Sequence, residues 1–141
     1  MSNKPKVLMI ITLDLPPQQL KPNGRHHWRA KAAKVAEYRE AACDAAMESA
    51  YHYGVMEPIQ APTVRITAYW PTTRRMDPDN LIATMKAAFD GITDAGVWRD
   101  DRDVTYLPCV QGKDKENPRI EIEVTSEQLQ LQCGQSADRT D

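Results

Sequence analysis

A chain of 141 residues with 41% hydrophobic content is sized for one domain with a core of its own. Its net charge of −2 argues against a generic basic nucleic-acid binder. Cys43, Cys109 and Cys133, odd in number and widely spaced, argue against a disulfide framework or a zinc site and fit a reducing compartment.

Val7–Leu13 is an apolar run far too short to span a bilayer. No small-residue cleavage site follows it, so it reads as a buried strand of a cytoplasmic protein with no membrane partner. Pro16, Pro17, Pro22, Asn23 and Gly24 punctuate a loop over 14–28. From about Arg29 to about Tyr51 there is neither proline nor glycine, and alanine is abundant, which predicts a helix. Its core-facing stripe is Val35, Tyr38, Ala42, Ala45 and Ser49. Thr63–Trp70 alternates as a strand, with Val64, Ile66, Ala68 and Trp70 on one face. A loop over 71–78 leads to a second helix from about Asp79 to Ala95, with Gly96 at the position of a left-handed C-terminal cap. Val104–Gln111 and Arg119–Thr125 read as two more strands, and the linker Gly112–Pro118 reads as the turn of a hairpin between them. Pro108 points to an edge position or a bulge.

The order β-α-β-α-β-β predicts an α+β domain over 1–125, a mixed sheet packed against two helices. Residues 126–141 are polar and lack a hydrophobic pattern, which predicts a disordered tail. Trp28, Trp70 and Trp98 are expected in the core.

Charge is unevenly spread. Residues 20–39 carry six lysines and arginines against Glu37, and residues 77–103 carry seven aspartates against three basic residues. A basic element can attract phosphates and an acidic one can hold cations; two solvated faces would look the same. The adjacent His26 and His27 suit solvent or phosphate contact better than one shared ion.

The informative stretch is Arg74-Arg75-Met76-Asp77-Pro78-Asp79-Asn80-Leu81. Pro78 holds Asp77 extended, so Asp77 and Asp79 can point the same way at the mouth of the second helix. Two such carboxylates suit a hard cation such as Mg²⁺. The alternative is a helix cap, with Asp77 as N-cap and Pro78 at the first helical position. Asp100 and Asp101 lie beyond the helix, so either can reach Asp77 only if the chain returns. A strand running beside Thr63–Trp70 would supply that return. Lys86, seven residues after Asp79, shares its helical face, and its amine leans back toward the acidic mouth; pairing with Asp90 is the alternative.

Three segments in order, Asp77-Pro78-Asp79-Asn80-Leu81, Lys86-Ala87-Ala88-Phe89-Asp90 and Ala95-Gly96-Val97-Trp98-Arg99-Asp100-Asp101, resemble the RusA-like endodeoxyribonucleases of bacteria and their phages. The resemblance spans roughly residues 13–124 and is strongest over 74–104. It implies a Mg²⁺-dependent homodimer, with Mn²⁺ able to substitute, that nicks four-way (Holliday) DNA junctions in pairs. It places the family's catalytic carboxylates and metal ligands on Asp77, Asp79 and Asp101, and its catalytic lysine on Lys86. It selects Asp101 over Asp100. The chain departs from the pattern in two places. The lysine follows the second aspartate by seven residues rather than four, and Met76 stands where some members carry arginine. The DNA-contacting candidates are Lys21, Arg25, Arg29, Lys31, Lys34, Arg74, Arg75 and Asn80. The competing readings are a nuclease for other branched phage DNA and a non-catalytic DNA-binding module that keeps the fold.

Overall fold

The structure is a computed structural model, and it describes residues 7–21 and 28–126. Its sheet is built from β1 (Val7–Leu13), β2 (Pro62–Trp70), β3 (Thr105–Tyr106), β4 (Val110–Lys113) and β5 (Arg119–Ser126). The helices are α1 (Trp28–Tyr53), α2 (Pro78–Thr84) and α3 (Lys86–Asp94). Short 3₁₀ turns cover Gln18–Leu20 and Asp101–Asp103. The expected α+β class with a mixed sheet holds. The calls on His26, His27, Arg25 and Cys133 lie outside the described residues, as does the polar tail beyond Ser126.

The strand order is β1-β5-β2-β3, with β4 also pairing with β2. β5 runs antiparallel to both β1 and β2, while β3 and β4 run parallel to β2. Period-two alternation decides which face is buried. Met9, Ile11 and Leu13 of β1, Val64, Ile66 and Ala68 of β2, and Ile120, Ile122 and Val124 of β5 all lie in one core. They pack there with Tyr38, Ala42 and Ala46 of α1 and Ala87, Ala88, Phe89 and Ile92 of α3. Arg65, Glu121 and Glu123 take the opposite, wetter face, in register across β2 and β5.

Two helices were expected and three are found, because the second is interrupted at Met85. Thr84 Oγ1 donates 2.6 Å back to the Asn80 carbonyl. Such back-bonding competes for the carbonyl and bends helices. Met85 sits at φ −84° and ψ 2°, the bridge region, with its side chain fully buried. Burial anchors the break, and α3 restarts at Lys86. Gly96, at φ +82°, donates its N–H to the Thr93 carbonyl and ends α3 as the expected left-handed cap.

The expected hairpin between the last two strands does not form. β4 and β5 lie on opposite edges of β2, so 114–118 carries the chain across the end of that strand. The reason is that β2, a core strand, needs hydrogen-bond partners on both edges. Asp114 N–H donates 2.8 Å to the Trp70 carbonyl, and Arg119 binds Asp114 at 2.9 Å while lying 4.1 Å over the Tyr69 ring. Pro108 falls in the gap between β3 and β4, on the sheet edge, where its missing N–H removes no ladder bond. Trp98 is buried and Trp70 half-buried, but Trp28 is 67% exposed at the start of α1, against the expectation of three core tryptophans. Arg29 stacks on its ring at 5.2 Å, so the indole meets a cation rather than the core. Among the described residues no helix is long and apolar enough to cross a membrane.

Candidate active site

The acidic motif sits where β2 hands over to α2. Asp77 is the N-cap of α2, its carboxylate accepting the Asp79 N–H at 3.1 Å, with Pro78 at the first helical turn. The capping role is therefore filled, and it leaves Asp77 extended (φ −54°, ψ 130°), as the following proline requires. Asp79 is exposed, and its carboxylate has no hydrogen-bond or ion-pair partner among the described residues. A carboxylate at a helix N-terminus is favoured by the dipole without any such partner.

The segment before Asp77 is fixed by a residue that sequence reading passed over. Gln111 of β4 accepts from the Trp70 indole N–H at 2.8 Å and from the Met76 N–H at 2.9 Å, and it donates to the Met76 carbonyl at 2.7 Å. One amide thus treats Met76 as a neighbouring strand would. Nothing local in the sequence marks Gln111. Its role depends on β4 lying beside β2, with Gln111 opposite Ala68.

Strand β3 runs parallel to β2 immediately after the 3₁₀ turn containing Asp101, but it pairs with Thr63 and Val64 at the start of β2, and the group Asp101 meets is Lys86. Lys86 Nζ lies 2.7 Å from Asp101 and 3.1 Å from Asp90. The amine is turned forward rather than back along the helix toward Asp79. Two carboxylates within hydrogen-bond reach outweigh the rotamer's backward lean, and Lys86 starts a new helix instead of continuing α2. The hydrogen bonds it donates to Asp101 first, then to Asp90, raise the lysine's pKa above its ordinary value, so it is a cation. Asp100 faces away into Arg102, whose side-chain and backbone hydrogen bonds hold its carboxyl down at about 2. Tyr106 of β3, edge-on to Phe89, has its phenol raised by burial and by Asp101.

Three carboxylates are chemically suited to a hard divalent cation. Among the described residues, however, no three histidine, cysteine, aspartate or glutamate residues stand close enough together to hold a metal ion. The donors fit a cation in type, while Asp77, Asp79 and Asp101 are not gathered into one set here, and Lys86 occupies Asp101. Cys43 and Cys109 are free and half-buried.

The DNA-contacting candidates divide into two groups. Lys21, Arg74, Arg75 and Asn80 line one groove of about 670 Å³ beside the acidic motif. Arg29, Lys31 and Lys34 lie on the first turns of α1, with Lys34 bound to Glu37 at 3.3 Å.

Residues 16–125 match the protein family described as Endodeoxyribonuclease RusA. A crossover junction endodeoxyribonuclease RusA of Escherichia coli (strain K12) is 33% identical over 120 residues, covering 82% of this chain and 92% of that protein. A crossover junction endodeoxyribonuclease from Enterobacteria phage 82 shows the same identity and coverage. An uncharacterized protein of Xylella fastidiosa (strain Temecula1) is 29% identical over 121 residues, covering 85% of this chain and 78% of that one.

Proposed function

The chain belongs to the RusA family of endodeoxyribonucleases, and from that membership we propose that it resolves four-way DNA junctions by hydrolysing phosphodiester bonds on paired strands. The carrying observation is the Lys86–Asp101 contact at 2.7 Å, which joins two of the three motif segments across fifteen residues of chain. Asp77, Asp79 and Asp101 would hold Mg²⁺, with Mn²⁺ able to substitute. When bound, it would supply an activated water and polarisation of the phosphoryl group. Asp101 would have to exchange its bond to the Lys86 ammonium for the cation. Lys86, held also by Asp90 at 3.1 Å, would set its charge against the scissile phosphate, where negative charge builds in the transition state. Asn80, at the start of α2, contacts the phosphate or orients Asp77. Lys21, Arg74 and Arg75, with Arg25, Arg29, Lys31 and Lys34, hold the DNA backbone, which contributes affinity but little sequence information.

A two-fold homodimer would set two such sites against opposed strands of a two-fold junction. Gel filtration at micromolar concentration is expected to give a dimer, and a monomer that still resolves junctions would overturn that part. The chemistry is tested by Asp79→Asn. Junction nicking with Mg²⁺ should fall by on the order of 10³ or more, because one cation ligand loses its charge. Junction binding should survive. Wild-type protein that binds junctions but nicks none with Mg²⁺ or Mn²⁺ would instead be a non-catalytic module. Side-by-side cleavage of four-way, three-way and duplex DNA separates the junction reading from one for other branched DNA.

A further inference from the structure

We propose that the groove beside the acidic motif seats one unstacked nucleotide of the DNA strand next to the scissile phosphate. Its base would lie against Trp70, with its phosphates among Lys21, Arg74 and Arg75. The inference rests on the nuclease reading and says which part of the branched substrate the site grips.

The groove has two kinds of wall. Leu15, Pro16 and Trp70 give it an apolar floor, while Lys21, Arg74 and Arg75 give it a basic rim. Among the described residues no aspartate or glutamate lines it. Those three cations have no ion-pair partner among the described residues, whereas Arg39, Arg102 and Arg119 are each bound to carboxylates. A volume of about 670 Å³ lies within the size range of sites for small organic ligands and suits a nucleotide.

The state of Trp70 is informative. Its indole N–H is spent on Gln111 at 2.8 Å, so the ring's one polar group is already satisfied. What the half-buried ring offers the groove is therefore apolar surface. A double-helical backbone needs cations but has no use for such a floor, whereas a flat base does. Basic rim and aromatic platform together are the usual means of gripping unpaired strands. Unstacking costs least where base stacking is already interrupted, as at a crossover. Asn80 also lines the groove and directly follows Asp79, so a base seated there has its own backbone at the acidic pair.

The test replaces thymines one at a time with 5-iodouracil around the crossover of a four-way junction. The protein is bound without divalent cation and irradiated, and the cross-linked residue is mapped by mass spectrometry. The expected result is a cross-link to Trp70 from a position within one or two nucleotides of the cut. In parallel, Trp70→Leu should weaken junction binding on the order of 5- to 150-fold through lost base stacking, while Trp70→Phe keeps most of it. Neither should alter binding to linear duplex, which a merely structural defect would lower equally. If the leucine variant fails to fold, the wild-type cross-link still decides. Cross-links falling only outside the groove, or a folded leucine variant with unchanged junction affinity, overturn the inference. Wild type that nicks junctions without cross-linking Trp70 sinks the groove and leaves the nuclease standing. Wild type that cross-links Trp70 but nicks nothing supports the groove and sinks the nuclease.

Discussion

At the scale of single residues, the site divides into what local spacing reveals and what only the fold supplies. Asp77, Asp79 and Lys86 stood out as candidates because two carboxylates flanking a proline at a helix start are an unusual local pattern, but the shared face expected for Lys86 was lost when the helix broke at Met85. The partner of Lys86 was half visible: Asp90 follows from helical spacing, but Asp101 is fifteen residues away and needed β3 to come back along β2. Gln111 was not visible at all. Its three hydrogen bonds to Trp70 and Met76 set where Asp77 begins α2. Gln111→Met keeps the length of the side chain and removes all three, leaving a backbone N–H and C=O poorly paired. The expected loss is about 1–3 kcal/mol of stability, read by urea denaturation. If Gln111 also positions Asp77, the Mg²⁺ concentration for half-maximal nicking should rise while junction affinity without metal stays unchanged. A variant that loses stability with an unaltered Mg²⁺ dependence would confine Gln111 to the fold.

Among the elements, the contact between α1 and α3 decides the most. The alanine-rich composition of α1 predicted its helix and its close packing, and Gly91 shows how close. A Cβ built there would meet the Arg39 carbonyl and lie 3.0 Å from both Ala42 Cβ and Cys43 N. Backbone cannot move aside as a side-chain tip can. Gly91→Ala should therefore destabilise the protein by about 1–3 kcal/mol through overpacking. Helix propensity alone would favour alanine by about 1 kcal/mol, so the sign of the change in thermal midpoint separates the two effects. The same interface carries a two-pronged ion pair from Arg39 to Asp94, at 2.6 and 2.8 Å. Hydrogen bonding from Arg39 lowers the Asp94 pKa below its ordinary value. A depressed carboxylate contributes stability that is present above its unfolded pKa and is lost as pH falls through the folded one. Wild-type stability should thus decline below about pH 4, and the decline should be shallower in Asp94→Asn, as acid titration followed by circular dichroism would read. The interruption at Met85 escaped the sequence because an apolar stripe runs through it unbroken. Only the back-bond from Thr84 and the buried Met85 side chain distinguish two helices from one. The hairpin failed for a related reason: a short linker between strands says nothing about which edge of β2 each will take.

For the molecule as a whole, net charge is a poor guide to what the surface attracts. The chain carries −2 overall, which by itself argues against binding a polyanion. Yet several of its acidic side chains have cations beside them: Asp94 pairs with Arg39, Asp100 with Arg102, Asp114 and Glu121 share Arg119, and Asp90 and Asp101 share Lys86. Among the described residues the groove cations Lys21, Arg74 and Arg75 have no such partners and no acidic neighbour in their lining. What approaching DNA meets is therefore a local basic rim beside an acidic mouth. Each phosphate contact made by such a cation releases counterions, so affinity falls with salt at a slope set by the number of contacts. Replacing Arg74 and Arg75 together by alanine should reduce that slope by about 2 and weaken binding across all junction sequences alike. Asp79→Asn, measured without metal, should do the opposite in sign, tightening binding, since it removes a repelling charge near the phosphate. Fluorescence anisotropy over a series of salt concentrations reads both. An unchanged slope in the double arginine variant would show that the phosphates lie elsewhere, along α1, where Arg29, Lys31 and Lys34 would then carry the contacts.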